Sequence, residues 1–175
     1  GAEADDIIAT LCKYTQTEKD RSKNEKVMIV SGDKDFIQLQ RYSNVDQYSP
    51  ITKKYINGHD PITYIKEHIL KGDTSDGVPN VLSPDHTFTE GLRQRPLSRK
   101  KIDTWIDIDM EDMTDEVKRN YQRNEKLISL DKIPEELEDN ILREFAGAPH
   151  GDRSKLLNYF TKKRLKNLTE SIGEF

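Results

Sequence analysis

Apolar and polar positions fall into two regimes along the chain. From Glu3 to Asp20 the spacing is helical, with Ile7, Ile8, Leu11 and Thr15 on one face. Glu3, Asp5 and Asp6 stand in its first turn, where the helix dipole favours acids. Lys26 to Ser31 breaks that period: its Val-Met-Ile-Val run has no polar alternation, the pattern of a short strand covered on both faces, as in a parallel sheet. Asp35 reads as the cap of a second helix holding Phe36 and Leu39, and Val45 to Ser49 as a second strand that stops before Pro50. Asp60 and Pro61 supply the N-cap and first residue of a third helix, with Ile62, Ile65 and Ile69 inward and Gly72 just past its end.

After Gly72 the alternation of strand and helix stops. Asp73 to Arg95 has few periodic apolar positions, with Pro at 79, 84 and 96, so it reads as a loop. From Ser98 onward only helical segments are expected, at about Ser98 to Trp105, Thr114 to Leu130, Pro134 to Phe145 and Ser154 to Thr169. The predicted fold is therefore α/β: a partial parallel-sheet core over residues 1–80, followed by an all-helical subdomain over residues 81–175 that adds binding surface.

Composition narrows the setting. Among 175 residues, 34% are charged and 33% hydrophobic, and the aliphatic content still supports a folded core. A single cysteine, Cys12, excludes an internal disulfide and reads as a small buried hydrophobe; His59, His68, His86 and His150 show no metal spacing. The longest apolar run of the first half, Val27 to Val30, is far short of the ~20 residues of a membrane helix, so a cytoplasmic monomer is expected. No Met opens the chain and a helical pattern begins within the first few residues, so it is expected to be the later part of a longer protein, with a central strand upstream.

The net charge of -4 hides strong patterning. Gly91 to Lys101 carries Arg93, Arg95, Arg99, Lys100 and Lys101 and no acid, and Asp103 to Glu116 follows with acids and no base. The overall balance excludes a nonspecific polycation, whereas local basic stripes suit a protein that grips phosphates at chosen points. A solvated helix face is the plainer account of each run taken alone.

The acids of the first half carry the chemistry. Asp33 and Asp35 follow directly on the buried strand, at its carboxyl end, where open α/β sheets collect ligands, and Gly32 permits the sharp turn. Glu3, Asp5 and Asp6 stand at a helix start, and Asp73 and Asp76 in the loop after Gly72. Singly these are helix-start charges, an N-cap and turn formers. Jointly, they are acids that could not all stay ionised in one place without a hard cation, and magnesium is the natural choice. Two such ions would suit displacement at a phosphodiester, with no histidine needed as base.

Three segments carry a resemblance. Gly1-Ala2-Glu3-Ala4-Asp5-Asp6-Ile7-Ile8, Val30-Ser31-Gly32-Asp33-Lys34-Asp35-Phe36 with Gln38-Leu39, and Gly72-Asp73-Thr74-Ser75-Asp76-Gly77-Val78-Pro79 resemble successive metal-site motifs of the 5'-nuclease family, with its PIN-like core. That family includes flap endonucleases and the 5'-exonuclease domains of bacterial DNA polymerase I. Val45 to Lys54, Leu127 to Pro134 and the ending Ser171 to Phe175 are similar to its T-even phage ribonuclease H branch. The resemblance implies a nuclease dependent on two Mg2+ ions, for which Mn2+ can substitute, that removes RNA primers and adjoining DNA or flaps from 5' ends in lagging-strand replication. By motif, Glu3, Asp5, Asp6 and Asp33 would serve the first ion and Asp35, Asp73 and Asp76 the second, with Asp33, Asp35 and Asp6 as the catalytic set. The implied partners are DNA and RNA/DNA hybrid, with a sliding clamp and a single-stranded DNA-binding protein as candidate protein partners, no membrane, and a phage-infected bacterial cell as the setting.

Two departures from the pattern matter. The family's first aspartates have no counterpart in this sequence, and the Gly-Ile-Gly-x-Lys type of loop that grips duplex DNA is absent after Pro79. Arg93, Arg95, Arg99, Lys100 and Lys101 are the substitute candidates for backbone contacts. Two other readings stay open at this level: a metal-dependent nucleotide-sugar transferase, which leaves Asp73 and Asp76 unexplained, and a non-catalytic DNA-binding or replication-partner module whose acids are structural.

Overall fold

A computed structural model describes residues 1–16, 24–108, 110–148 and 155–174 of the chain. They divide into two compact units, Gly1–Leu142 and Arg143–Phe175.

The first unit opens with α1 (Ala4–Tyr14), and the expected continuation to Asp20 lies outside the described residues. Glu3 is its N-cap, and the Asp6 carboxylate accepts from the Glu3 backbone N–H at 3.0 Å, completing a capping box. Burial falls on Ala9, Thr10 and Cys12 rather than on Ile7, which is 40% exposed. Strand β1 (Val27–Val30) follows, then a 3-10 helix (Asp35–Arg41), β2 (Val45–Ser49) and a short β3 (Lys54–Tyr55) that the sequence pattern does not announce.

β1 and β2 are parallel, with Val27 opposite Val45 and Val30 opposite Tyr48, and β3 turns back antiparallel to β2. The expectation that β1 is covered on both faces needs correction. Ile29 is buried at 4% exposure, but Met28 and Val30 are 45% and 63% exposed. The residues that cluster with Ile29 are Ala9, Cys12, Phe36, Leu39 and Val45, and Met28 and Val30 belong to no core cluster among the described residues. The second helix is corrected as well: it is 3-10, and Asp35 does not cap it. The carboxylate that accepts there belongs to Asp33, whose Oδ1 takes the Asp35 N–H at 3.0 Å.

Helix α2 (Pro61–Lys71) starts as expected, with Asp60 Oδ2 accepting from Thr63 N–H at 2.7 Å and Pro61 in the first turn. It buries Ile69 and Leu70 in its last turn, while Ile62 in the first turn stays exposed. The segment after Gly72 is irregular up to Ser98, which caps α3 (Arg99–Trp105) through its hydroxyl. Helices α4 (Asp115–Ile128) and α5 (Glu135–Gly147) complete the unit, α5 running past its end. Leu70 packs with Val81, Ile102, Met113 and Val117, and Ile69 with Val78 and Ile128, so α2 and the loop after it are held by α3 and α4. Trp105 packs against the first of these clusters, with Lys101 Nζ 4.5 Å from its ring centre.

In the second unit, the single helix expected over Ser154 to Thr169 is two, α6 (Leu156–Lys162) and α7 (Lys166–Glu170), with Ser154 outside the described residues. The break is a Schellman turn: Leu165 N–H donates to Phe160 C=O and Arg164 N–H to Thr161 C=O, with Arg164 at φ 55 in the place usually given to glycine. No proline or glycine marks it, which is why the pattern runs through it. No helix among the described residues is long and apolar enough to cross a membrane.

Candidate metal centre

Three chain segments build one acidic cleft. The first is the end of β1. There Ser31 Oγ accepts from Asp33 N–H at 3.1 Å, and the buried Gln47 of β2 donates to the carbonyls of Ser31 and Asp33 at 3.0 and 2.5 Å. The neighbouring strand thus fixes the backbone that aims Asp33 and Asp35. A side chain at Gly32 would place Cβ 3.3 Å from Ser49 Oγ, so the small residue also lets β2 come close.

The second segment follows α2. Gly72 sits at φ 69, and a Cβ there would lie 2.3 Å from the Val78 carbonyl, a contact only glycine avoids. Val78 N–H closes the loop onto Asp73 C=O at 2.7 Å. Inside the loop Asp73 Oδ1 accepts from Ser75 N–H at 2.8 Å, from Asp76 N–H at 3.3 Å and from the Ser75 hydroxyl. Burial pushes the Asp73 carboxyl up, but these donors outweigh it and hold the group below the usual carboxylate range.

The third segment is the start of α1. Glu3, Asp5, Asp33, Asp35, Asp73 and Asp76 line a single cleft of about 860 Å³, together with Lys34, Ile51, Tyr64, His68 and Ser75. Asp6 is not among the lining residues; its carboxylate is turned to the Glu3 N–H in the capping box. Six of the seven acids singled out in the sequence are therefore brought together, and the seventh stands directly behind Glu3.

The crowding has an electrostatic signature. Asp5 is raised above its ordinary value by burial and then by Asp33, Glu3, Asp6 and Asp76. Asp35 is pushed up to about 6, chiefly by burial, with Asp33, Asp73 and Asp5 adding and His68 opposing. Burial and the Asp35, Asp33 and Asp73 charges push the Tyr64 phenol up to about 12. Acids held up in this way are relieved by a cation, and the donor set contains carboxylates and one imidazole but no thiol.

That imidazole is the residue the spacing of the sequence does not reveal. His68 lies on α2 with Nε2 3.1 Å from Asp73 Oδ2 and Nδ1 3.4 Å from Asp35 Oδ1. One oxygen of Asp35, one of Asp73 and one nitrogen of His68 lie within 4.8 Å of one another. The turn at Gly72 folds Asp73 back beside the helix it leaves, so residues five apart face each other without any helical spacing.

Arg93, Arg95, Arg99, Lys100 and Lys101 do not line the cleft; all are exposed. Arg95 pairs with Glu116 at 3.0 Å, and Arg99 with Glu67 at 2.6 Å and Asp103 at 2.8 Å. Cys12 is buried, and burial pushes its thiol up to about 11, which fits a packing role and not a nucleophile.

Residues 60–175 match the family described as T4 RNase H, C terminal, and residues 1–68 match the 5'-3' exonuclease, N-terminal resolvase-like domain. Ribonuclease H of Enterobacteria phage T4 is 37% identical over 183 residues, covering 99% of this chain and 58% of its own length. A 5'-3' exonuclease of Buchnera aphidicola subsp. Schizaphis graminum (strain Sg) is 40% identical over 88 residues, 46% of this chain and 29% of its own length. The chain thus spans little more than half of the longer of these two matches.

Proposed function

The chain belongs to the T4 RNase H family, and on that premise we propose that it acts as a magnesium-dependent 5' nuclease, removing RNA primers and adjoining DNA from 5' ends in lagging-strand replication. The observation that carries the reading is the convergence of six carboxylates, from α1, the end of β1 and the loop after α2, on one cleft. The donor set fits hard dications, since two of its carboxyls are raised above their ordinary values by burial and then by the neighbouring carboxylates.

In this reading Glu3, Asp5 and Asp33 hold one ion, with Asp6 fixing Glu3 from behind, and Asp35, Asp73 and Asp76 hold the second. Bound there, magnesium or manganese supplies a water of lowered pKa and neutralises charge on the scissile phosphodiester. Asp33 and Asp35 act from a backbone clamped by Gln47, so the carboxylates nearest the chemistry are aimed before substrate arrives. Lys34, at the cleft wall, offers a positive charge to the phosphate. Arg93, Arg95, Arg99, Lys100 and Lys101 hold the nucleic-acid backbone farther out, exchanging exposed ion pairs that are worth little for contacts with phosphate.

The test is cleavage of a 5'-labelled RNA/DNA hybrid by the full-length protein, with magnesium, with manganese and with chelator. Short labelled products that depend on the metal are expected. No cleavage with either metal, or equal cleavage in chelator, would overturn the reading.

A further inference from the structure

Ile51 is 88% exposed, the most open of the large apolar side chains among the described residues. A single isoleucine on open surface carries no message, but this one lines the acidic cleft. Gly32 aside, the rest of that lining is carboxylate, hydroxyl, lysine and imidazole, with the Tyr64 phenol. Hard ions take oxygen and gain nothing from an aliphatic side chain. The part of a nucleic acid that can bury one is the face of a nucleobase, and isoleucine is among the residues that proteins insert between bases.

The turn that carries Ile51 is braced. β2 and β3 pair with Ser49 opposite Lys54, which leaves Pro50, Ile51, Thr52 and Lys53 as the connection. Pro50 fixes its own φ, Thr52 N–H donates to the hydroxyl of the buried Ser49 at 3.3 Å, and Lys53 closes the turn at φ 55. Below the turn the rings of Tyr48 and Tyr55 meet edge-on with centroids 5.5 Å apart, and Ile56 N–H donates to the Gln47 carbonyl at 2.9 Å. The side chain of that same Gln47 donates to the carbonyls of Ser31 and Asp33. One strand therefore sets both the reach of Ile51 and the aim of Asp33. Lys53 and Lys54 follow the tip, both exposed and neither in an ion pair among the described residues. The apolar tip thus comes with two unpaired cations for the phosphates of the strand it meets.

We propose that Ile51, at the tip of the β2–β3 turn, packs against the face of a nucleobase beside the scissile phosphate and so sets which phosphodiester enters the metal centre. The inference rests on the 5'-nuclease reading of the cleft and adds a positioning contact to it. Every base has such a face, so the contact fixes register along the strand without reading sequence. Because β2 also holds the Asp33 backbone, a base lodged at Ile51 is held in register with the carboxylates.

The test uses the full-length protein and a 5'-labelled RNA/DNA hybrid, intact or with one abasic nucleotide stepped through the positions around the cleaved bond. Binding is measured in calcium and product length in magnesium, for the natural protein, Ile51→Ala and Ile51→Leu. In the natural protein, one abasic position should cost about tenfold in affinity. Ile51→Ala should lose about tenfold on the intact hybrid and nothing further at that position, because the two changes remove one contact. Ile51→Leu should keep the affinity of the natural protein, and Ile51→Ala should cut at several neighbouring bonds where the natural protein favours one. The melting temperature should be the same in all three, since so exposed a side chain holds little of the fold. Losses that simply add, or unchanged affinity and product length in Ile51→Ala, overturn the base contact and leave the nuclease reading standing. A melting temperature that falls in Ile51→Ala, with no coupling to any abasic position, also overturns it and shows Ile51 covered by another part of the protein. Coupling without metal-dependent cleavage by the natural protein supports the contact and overturns the nuclease reading alone.

Discussion

Asn124, fully buried on α4, donates from Nδ2 to the backbone carbonyl of Pro79 at 2.9 Å. The same amide reaches the carbonyl of Ile69 at 2.8 Å. These two carbonyls bracket the segment that carries Asp73 and Asp76, so one side chain staples both ends of the acidic loop. Arg123 NH2 adds a bond to the Pro79 carbonyl at 2.8 Å, and Asn120 holds the Val81 carbonyl at 3.0 Å. A helix far away in sequence therefore sets the shape of a loop in the candidate centre.

Replacing Asn124 by Ala should leave buried carbonyls without this donor and cost about 1–3 kcal/mol. Urea unfolding should show the lower midpoint, and metal titration should show weaker binding at Asp73 and Asp76 with the Glu3–Asp5–Asp33 position spared. An unchanged midpoint would mean that the loop holds its shape without the staple.

The Asp35 carboxyl predicts a pH dependence of the metal-free protein. Its folded value, about 6, lies above the ordinary 3.8, so the folded chain holds the proton more tightly than the unfolded one. The stabilisation it gives is full below about pH 4 and is lost as pH rises through the folded value. Thermal unfolding in chelator should therefore show Asp35 lowering the melting temperature between about pH 4 and 6, a slope that Asp35→Asn removes and that added divalent ion opposes. A profile identical in the natural protein and Asp35→Asn would contradict this.

The basic segment is tested through salt. Neutralising Arg93, Arg95, Arg99, Lys100 and Lys101 together should weaken duplex binding and reduce the slope of log affinity against log salt by about 0.9 for each phosphate that is no longer neutralised. An unchanged slope would mark the five as a solvated face whose ion pairs with Glu67, Asp103 and Glu116 are their whole role.

The elements that local chemistry specifies were readable in advance. Asp60 and Pro61 begin α2 and Gly72 ends it because a side-chain cap, a fixed φ and a positive φ are each properties of one residue. The placement of Asp33 and Asp35 at a strand end followed from an apolar run and a glycine. What escaped depends on partners remote in sequence. The exposure of Met28 and Val30 reflects which elements cover β1, and an apolar run does not record that. The 3-10 form of Asp35–Arg41 is not recorded in its apolar spacing, and the carboxylate that accepts at its start is that of Asp33. His68 belongs to the centre only because Gly72 folds Asp73 back against it, and Asn124 only because α4 packs on α2. The break at Arg164 has no residue to announce it, since arginine there takes a backbone shape that glycine usually supplies.

The central claim, that the acids of the cleft hold ions which do chemistry, is tested most directly at Asp33. Asp33→Asn keeps the shape of the side chain and removes its charge where the attacking water forms. The measurement is single-turnover cleavage of a 5'-labelled substrate by the full-length protein across a metal titration, beside DNA binding measured in calcium. The account predicts a fall of several orders of magnitude in rate, with binding retained or improved because repulsion of the polyanion is reduced. For Asp76→Asn it predicts a smaller loss, partly rescued by high magnesium or manganese. Cleavage by Asp33→Asn at the rate of the natural protein would contradict it and leave the acids of the cleft a structural role alone.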